Sequence, residues 1–194
     1  MKEYNKILDF WFSKGFDQLD NETWFKKDEN FDLEIKDKFL SFLEQGRQGL
    51  LEDWKITPAG SLAYIILFDQ FSRNIYRDTP KSFAQDEKAF EAVKEGIKGK
   101  QDISLTLPQR FFFYLPYMHS EILSDQEMAL ELFRSLFMEA PEGLKEGFKS
   151  IYEFALAHHK IIEEFGRFPH RNEILGRKST DVELSFLKKP GSKF

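Results

Sequence analysis

The chain has 194 residues, 41% of them hydrophobic and 31% charged, with a net charge of -5 and no cysteine. That balance fits one soluble domain over 1–194 with a substantial apolar interior. It excludes disulfides, thiolate metal sites and cysteine nucleophiles, and a pI near 5.5 gives no global reason to expect nucleic acid.

The N-terminus, MKEYNKILDFWF, mixes Lys, Glu and Asp into its apolar residues. It therefore reads as mature cytoplasmic protein rather than a secretory signal. A first helix over about Glu3 to Phe12 ends before Gly15. After WFKKDEN, an amphipathic stretch places Phe31, Ile35, Phe39 and Phe42 on one face and stops at Gly46 and Gly49. Thr57 followed by Pro58 is a capping residue with a first-turn proline, and opens the most apolar helix, through Leu62, Ile65, Ile66 and Asp69. Ser82 with Gln85 predicts a capping box for a helix fading at Gly99; Ser124 with Glu127 and Thr180 with Glu183 predict two more. The helix near 144–165 carries Leu144, Phe148, Ile151, Ala155, His158, Ile162 and Phe165 in steps of four and three, one buried seam.

Valine occurs only at Val93 and Val182, and no hairpin turn separates alternating segments. The fold expected is all-α, an array of roughly seven to nine helices packed as antiparallel pairs. Gly46 and Gly49 recur as Gly96 and Gly99, and FDQFSRN at 68–74 echoes FGRFPHRN at 165–172; these permit a helical repeat without establishing one. The apolar runs LAYIILF and FFFYLPYM fall short of the roughly 20 residues that span a bilayer.

Polar chemistry concentrates at the end of the chain. Arg167, Arg171, Arg177 and Lys178 against Glu173 give residues 165–178 a local charge of +3. Gly166 is placed to end a helix, and Pro169 puts Arg167, His170, Arg171 and Asn172 on a bend where forked donors suit a carboxylate or phosphate. Asp69 and Arg73 share a helical face, with Asn74 and Arg77 beside them. Arg110, Tyr114, Tyr117 and Glu121 share another, although Pro116 interrupts that helix. His158 points inward and His159 away, while His119 lies in an apolar stripe. Either buried histidine could serve as a base or simply donate to a carbonyl.

No phosphate loop, dinucleotide fingerprint or HExxH is present, and no histidine follows a glutamate by three residues, so no cofactor or metal is implied. Two functions stay open. One is a module binding an anionic small molecule or acidic peptide through Arg73, Asn74, Arg110, Tyr114, Arg167, His170, Arg171 and Asn172. The other is an enzyme of hydrolase or transferase type, with His158 or His119 as base, Asp69 or Glu121 orienting it, and arginines stabilising negative charge. Oligomeric state is not readable.

ILDFWF at 7–12, LAYIILFDQFSRNIYRDTPKSFAQD at 62–86, LPYMHSEIL at 115–123 and FGRFPHRNEILGRKST at 165–180 resemble the bacterial family known as domain of unknown function 924. The resemblance implies an all-helical, tetratricopeptide-like superhelix and no activity. It falls on Asp69, Gln70, Phe71, Arg73 and Asn74, on His119, Ser120 and Glu121, and on His158 and Gly166 through Asn172. Ser72 departs from it, standing where the family pattern usually has proline.

Overall fold

Each helix begins where its first backbone N–H groups find an acceptor or need none. The structure, a computed structural model, describes residues 2–13, 24 and 26–192. Eight helices and no strand occur among the described residues. Helix α1 spans Asn5–Phe12; the break expected at Gly15 lies outside the described residues. Helix α2, Glu29–Arg47, is capped by the Asp28 carboxylate, which accepts from the Asn30 and Phe31 amides, and it buries Phe31, Ile35, Phe39 and Phe42 as the periodicity predicts.

Helix α3 opens at Pro58 with the Thr57 hydroxyl accepting from the Gly60 amide. It runs as α-helix over Pro58–Ile65, widens to a π-helix over Ile66–Phe71 and closes over Ser72–Ile75. Helix α4, Asp86–Lys98, lacks the expected capping box, because the Ser82 hydroxyl donates instead to the Thr79 carbonyl beneath the short turn Pro80–Phe83. Helix α5, Leu107–His119, continues through Pro116. Helix α6, Leu123–Glu139, starts before Ser124 can cap it; Ser120 takes that place, accepting from the Ile122 amide and donating to Asp125. Helix α7, Lys145–Phe165, ends at Gly166 with φ of 66°, and its cap N–H bonds Ile162. Helix α8, Asp181–Phe186, carries the Thr180–Glu183 capping box that the sequence predicts.

Aromatic burial fills the interior. Trp11 meets Phe112 edge-on at 5.4 Å, Phe39 packs on Phe71 at 4.8 Å, and Phe111 on Phe133 at 6.1 Å, so α1, α2, α3, α5 and α6 share one core. Each such ring contributes roughly 1.5–3 kcal/mol of transfer free energy. Consecutive helices pack on one another, α6 along both α5 and α7. A smaller cluster of Ile161, Ile162 and Phe168, flanked by Phe165 and Phe186, seats the segment after α7. No helix is long and apolar enough to cross a membrane among the described residues.

Gly60 marks the tightest approach: a Cβ there would lie 2.1 Å from the Trp54 carbonyl oxygen. That neighbour is backbone and cannot swing away. Gly60→Ala is expected to cost about 3 kcal/mol through overpacking and a disturbed cap. Gly143→Ala, with nothing within 4 Å of the new methyl, should stay within about 0.5 kcal/mol of the parent. Urea unfolding of the two variants checks the contrast; equal effects would refute the close approach.

Candidate functional site

The π-helical turn of α3 places the first element of the site. A π-turn is rare and local, and it presents consecutive residues at angles that an α-helix cannot. Here all six residues are buried, including Asp69 at 1% exposure and Gln70 at 6%. The Gln70 amide donates to one Asp69 oxygen at 2.5 Å, while the other oxygen lies 2.7 Å from Nδ1 of His119, the last residue of α5. Burial alone would raise the Asp69 pKa, but the adjacent Arg73 and His119 outweigh it and hold the carboxyl below its usual range. An ionised carboxylate only accepts, so the His119 proton sits on Nδ1 and its Nε2 carries a lone pair. Burial, aided by the charges of Arg73 and Arg171 and opposed by Asp69, lowers the His119 pKa and favours this neutral form.

From Asp69 the contacts run on through two guanidinium groups. Arg73 lies 3.2 Å from the Asp69 carboxylate and donates to its backbone carbonyl at 2.6 Å. Its fork also grips Asp86, the first residue of α4, at 3.0 and 3.1 Å. On the far side of Asp86 stands Arg171, 7% exposed and 3.8 Å away, beyond hydrogen-bond distance. The Arg171 guanidinium is sandwiched between the rings of Phe83, at 4.8 Å, and Phe168, at 4.6 Å. Its buried Nε has no hydrogen-bond partner. Burial, with Arg73 adding to it, pulls the Arg171 pKa down to about 10. A guanidinium has five N–H donors, and leaving one buried without acceptors is costly.

Glu121 holds this arginine's segment in place. It accepts the Phe168 amide at 2.7 Å and takes the Arg177 fork at 2.6 and 2.9 Å, while Arg177 also donates to the Phe168 carbonyl at 3.1 Å. The bend after Gly166 is thereby tied to the α5–α6 connection. His158 lies beneath it, its Nδ1 donating to the Phe154 carbonyl at 2.9 Å and its ring edge-on to Phe168 at 5.5 Å. Burial pushes the His158 pKa to about 3, and burial with the neighbouring Arg171 pushes His170 to about 4. His158, 3% exposed, is the inward member of its pair, and His159 is half-buried rather than outward.

Of the residues singled out in the sequence, Asp69, Arg73, His119, His158, His170 and Arg171 gather here, with Glu121 at the margin. The dyad partner of Asp69 is His119, whereas Glu121 fastens the bend and His158 donates to a carbonyl. Others lie elsewhere. Asn74 donates to Asp32, Arg110 binds Glu139 and Tyr114, and Tyr114 donates to Asp102 near the start of α5. Arg167 forks onto Glu183 at 2.6 and 2.8 Å, and Asn172 donates to Ser179, both joining the bend to α8. Sequence reasoning missed Asp86 as the bridging carboxylate, Phe83 as the ring under Arg171 and Arg177 as the partner of Glu121. Phe83 and Asp86 do fall within the last residues of the matched stretch 62–86.

A groove of about 580 Å³ between α6 and α7, lined by Leu130, Glu131, Arg134, Ser135, Met138 and Tyr152, contains none of these residues. Among the described residues, no group of three or more His, Asp or Glu side chains is placed to hold a metal ion.

An all-helical frame with buried, interlocked Asp, His and Arg side chains defines the class. The chain belongs to the family described as bacterial protein of unknown function DUF924, whose model matches residues 7–191. It is similar to a solved structure from Agrobacterium tumefaciens, the protein of unknown function ATU0120, with 34% identity and a TM-score of 0.81 over 95% of this chain and 96% of that one. No curated protein matches it.

Proposed function

We propose that the chain is a binding protein for a small anion, held at the cluster of Arg171, Arg73 and His119. The observation that carries this reading is Arg171 itself: a guanidinium sandwiched between two rings, its Nε buried without a hydrogen-bond partner and its nearest carboxylate 3.8 Å away. Such a group destabilises the fold unless it serves a ligand. Its burial favours a small molecule over an acidic peptide. A cytoplasmic place and no nucleic-acid partner fit a chain with no cysteine and a net charge of -5. For the scaffold, we read α2–α3 and α4–α5 as helix hairpins of one kind. Gly46 and Gly96 each offer bare backbone to a phenylalanine of the following helix, Phe68 and Phe113, whose ring would lie 2.5 and 2.4 Å from an added methyl.

The test is thermal unfolding in chloride, acetate, phosphate and sulfate at matched ionic strength. An anion at ten times its Kd stabilises by about 1.4 kcal/mol, a rise of roughly 3–6 °C for a chain of this size. Arg171→Met keeps the length and apolar stem while removing the buried charge. It is expected to hold stability within about 1 kcal/mol of the parent and to lose the anion-dependent rise. If no anion raises the midpoint of the parent, or if Arg171→Met retains the rise, the reading fails.

The Asp69–His119 contact favours a second reading, an enzyme of hydrolase or transferase type. There the Nε2 of His119 would take a proton, Asp69 would orient the ring and Arg171 would meet developing negative charge.

A further inference from the structure

We propose that the anion is a small monocarboxylate bearing a hydroxyl on the adjacent carbon, its carboxylate on the open edge of Arg171 and its hydroxyl donating to Nε2 of His119. This rests on the anion-binding reading above and narrows it to a ligand class.

Charge comes first. The connected groups are Asp69, Asp86, Arg73 and Arg171, joined by contacts of 3.2, 3.0 and 3.8 Å. With His119 neutral, their charges cancel. Arg73 is already engaged on both sides, by Asp69 and by Asp86. One guanidinium is left to neutralise the ligand, which suits a single negative charge; a phosphate dianion would lack its second cation.

Shape comes next. Rings above and below Arg171 close both faces of the guanidinium plane, at 4.8 and 4.6 Å, and its Nη1 is turned to Asp86. What remains is the edge shared by Nε and Nη2, and that Nε is the buried atom without a partner. Two parallel N–H donors in one plane match the two oxygens of a planar carboxylate, whereas a tetrahedral oxyanion spreads its oxygens out of the plane into the rings.

The hydroxyl follows from His119. Asp69 fixes its Nδ1 as the donor, so Nε2 offers a lone pair and accepts from an O–H. Arg171 acts on His119 electrostatically, and both also act on the buried His158, so the open edge and the lone pair face a common neighbourhood. Gln70 fills the second Asp69 oxygen, which keeps that carboxylate from competing for the hydroxyl.

Binding of sodium glycolate, acetate and phosphate to the full chain, followed through the histidine ring signals by nuclear magnetic resonance, tests this. Glycolate is expected to bind about three- to tenfold tighter than acetate, the worth of one neutral hydrogen bond, and phosphate more weakly than either. His119→Asn keeps a donor for Asp69 in the Nδ1 position and deletes the Nε2 acceptor. It should bring glycolate and acetate to equal affinity while leaving acetate within about twofold of the parent. Equal binding of glycolate and acetate by the parent, or tighter binding of phosphate, overturns the proposal but leaves an anion site. No binding of any of the three overturns the anion-binding reading as well.

Discussion

Between pH 7.5 and pH 5 the protein is expected to lose about 4 kcal/mol of stability, before its carboxylates begin to titrate. The cause is a pair of buried histidines. Their folded pKa values are about 3 for His158 and about 4 for His170, against about 6.5 in an unfolded chain. Above pH 7 both states bind no proton at these rings and nothing is lost. As pH falls below 6.5 the unfolded chain takes up protons that the folded protein refuses, so stability drops by up to about 1.4 kcal/mol per pH unit for each ring. His119, also lowered by burial, acts in the same direction. The carboxylates held low, Asp69 and Glu121, contribute in the opposite window: their stabilisation is intact above about pH 4.5 and disappears only in stronger acid. Urea midpoints at pH 7.5, 6.5, 5.5 and 5 give the slope directly. His158→Asn should remove about half of it; a flat profile to pH 5 would mean that these rings charge freely inside the fold.

Asp69→Ala is expected to cost about 3–5 kcal/mol, the range for breaking a buried ion pair from one side. Asp69 serves Gln70, Arg73 and His119 at once. Its removal leaves Arg73 with Asp86 alone and frees the ring whose tautomer it sets. Equilibrium denaturation measures the loss, and a cost below about 1 kcal/mol would show that Asp69 is no keystone of the cluster. The contrast with Arg171→Met is the physical point. One charged group is saturated with partners and stabilises; the other is nearly without them and is retained against stability.

Much of this architecture could be read from local pattern. The four-and-three seam of α7 put His158 inward because helical spacing alone decides which of two adjacent histidines meets the core. Thr57–Pro58, Thr180–Glu183 and Gly166 marked helix ends because capping is a short-range interaction between residues close in sequence. Where capping had competitors, pattern misled: Ser82 turned to Thr79, and Ser120 displaced Ser124 at the start of α6.

The site was legible in its residues and not in its pairings. Asp69, Arg73, His119, His170 and Arg171 stood out as polar groups in apolar stretches. Which acid faced which base did not, because Asp69 and His119 are 50 residues apart and meet only through the packing of α3 on α5. The π-turn over Ile66–Phe71 has no sequence signature in a uniformly apolar run, yet it aims Asp69 and Gln70 into the same site. Asp86 was passed over as an ordinary acidic residue in a helix's first turn, where such residues are favoured by the helix dipole. Only the tertiary fold shows that it bridges Arg73 and Arg171.

The most direct test of the central claim is a crystal structure of the protein grown in glycolate. The account predicts one glycolate with its carboxylate across Nε and Nη2 of Arg171 and its hydroxyl on Nε2 of His119, while Asp69 still holds Nδ1. A protein carboxylate or carbonyl closed onto that edge of Arg171, with glycolate elsewhere or not bound, would contradict it.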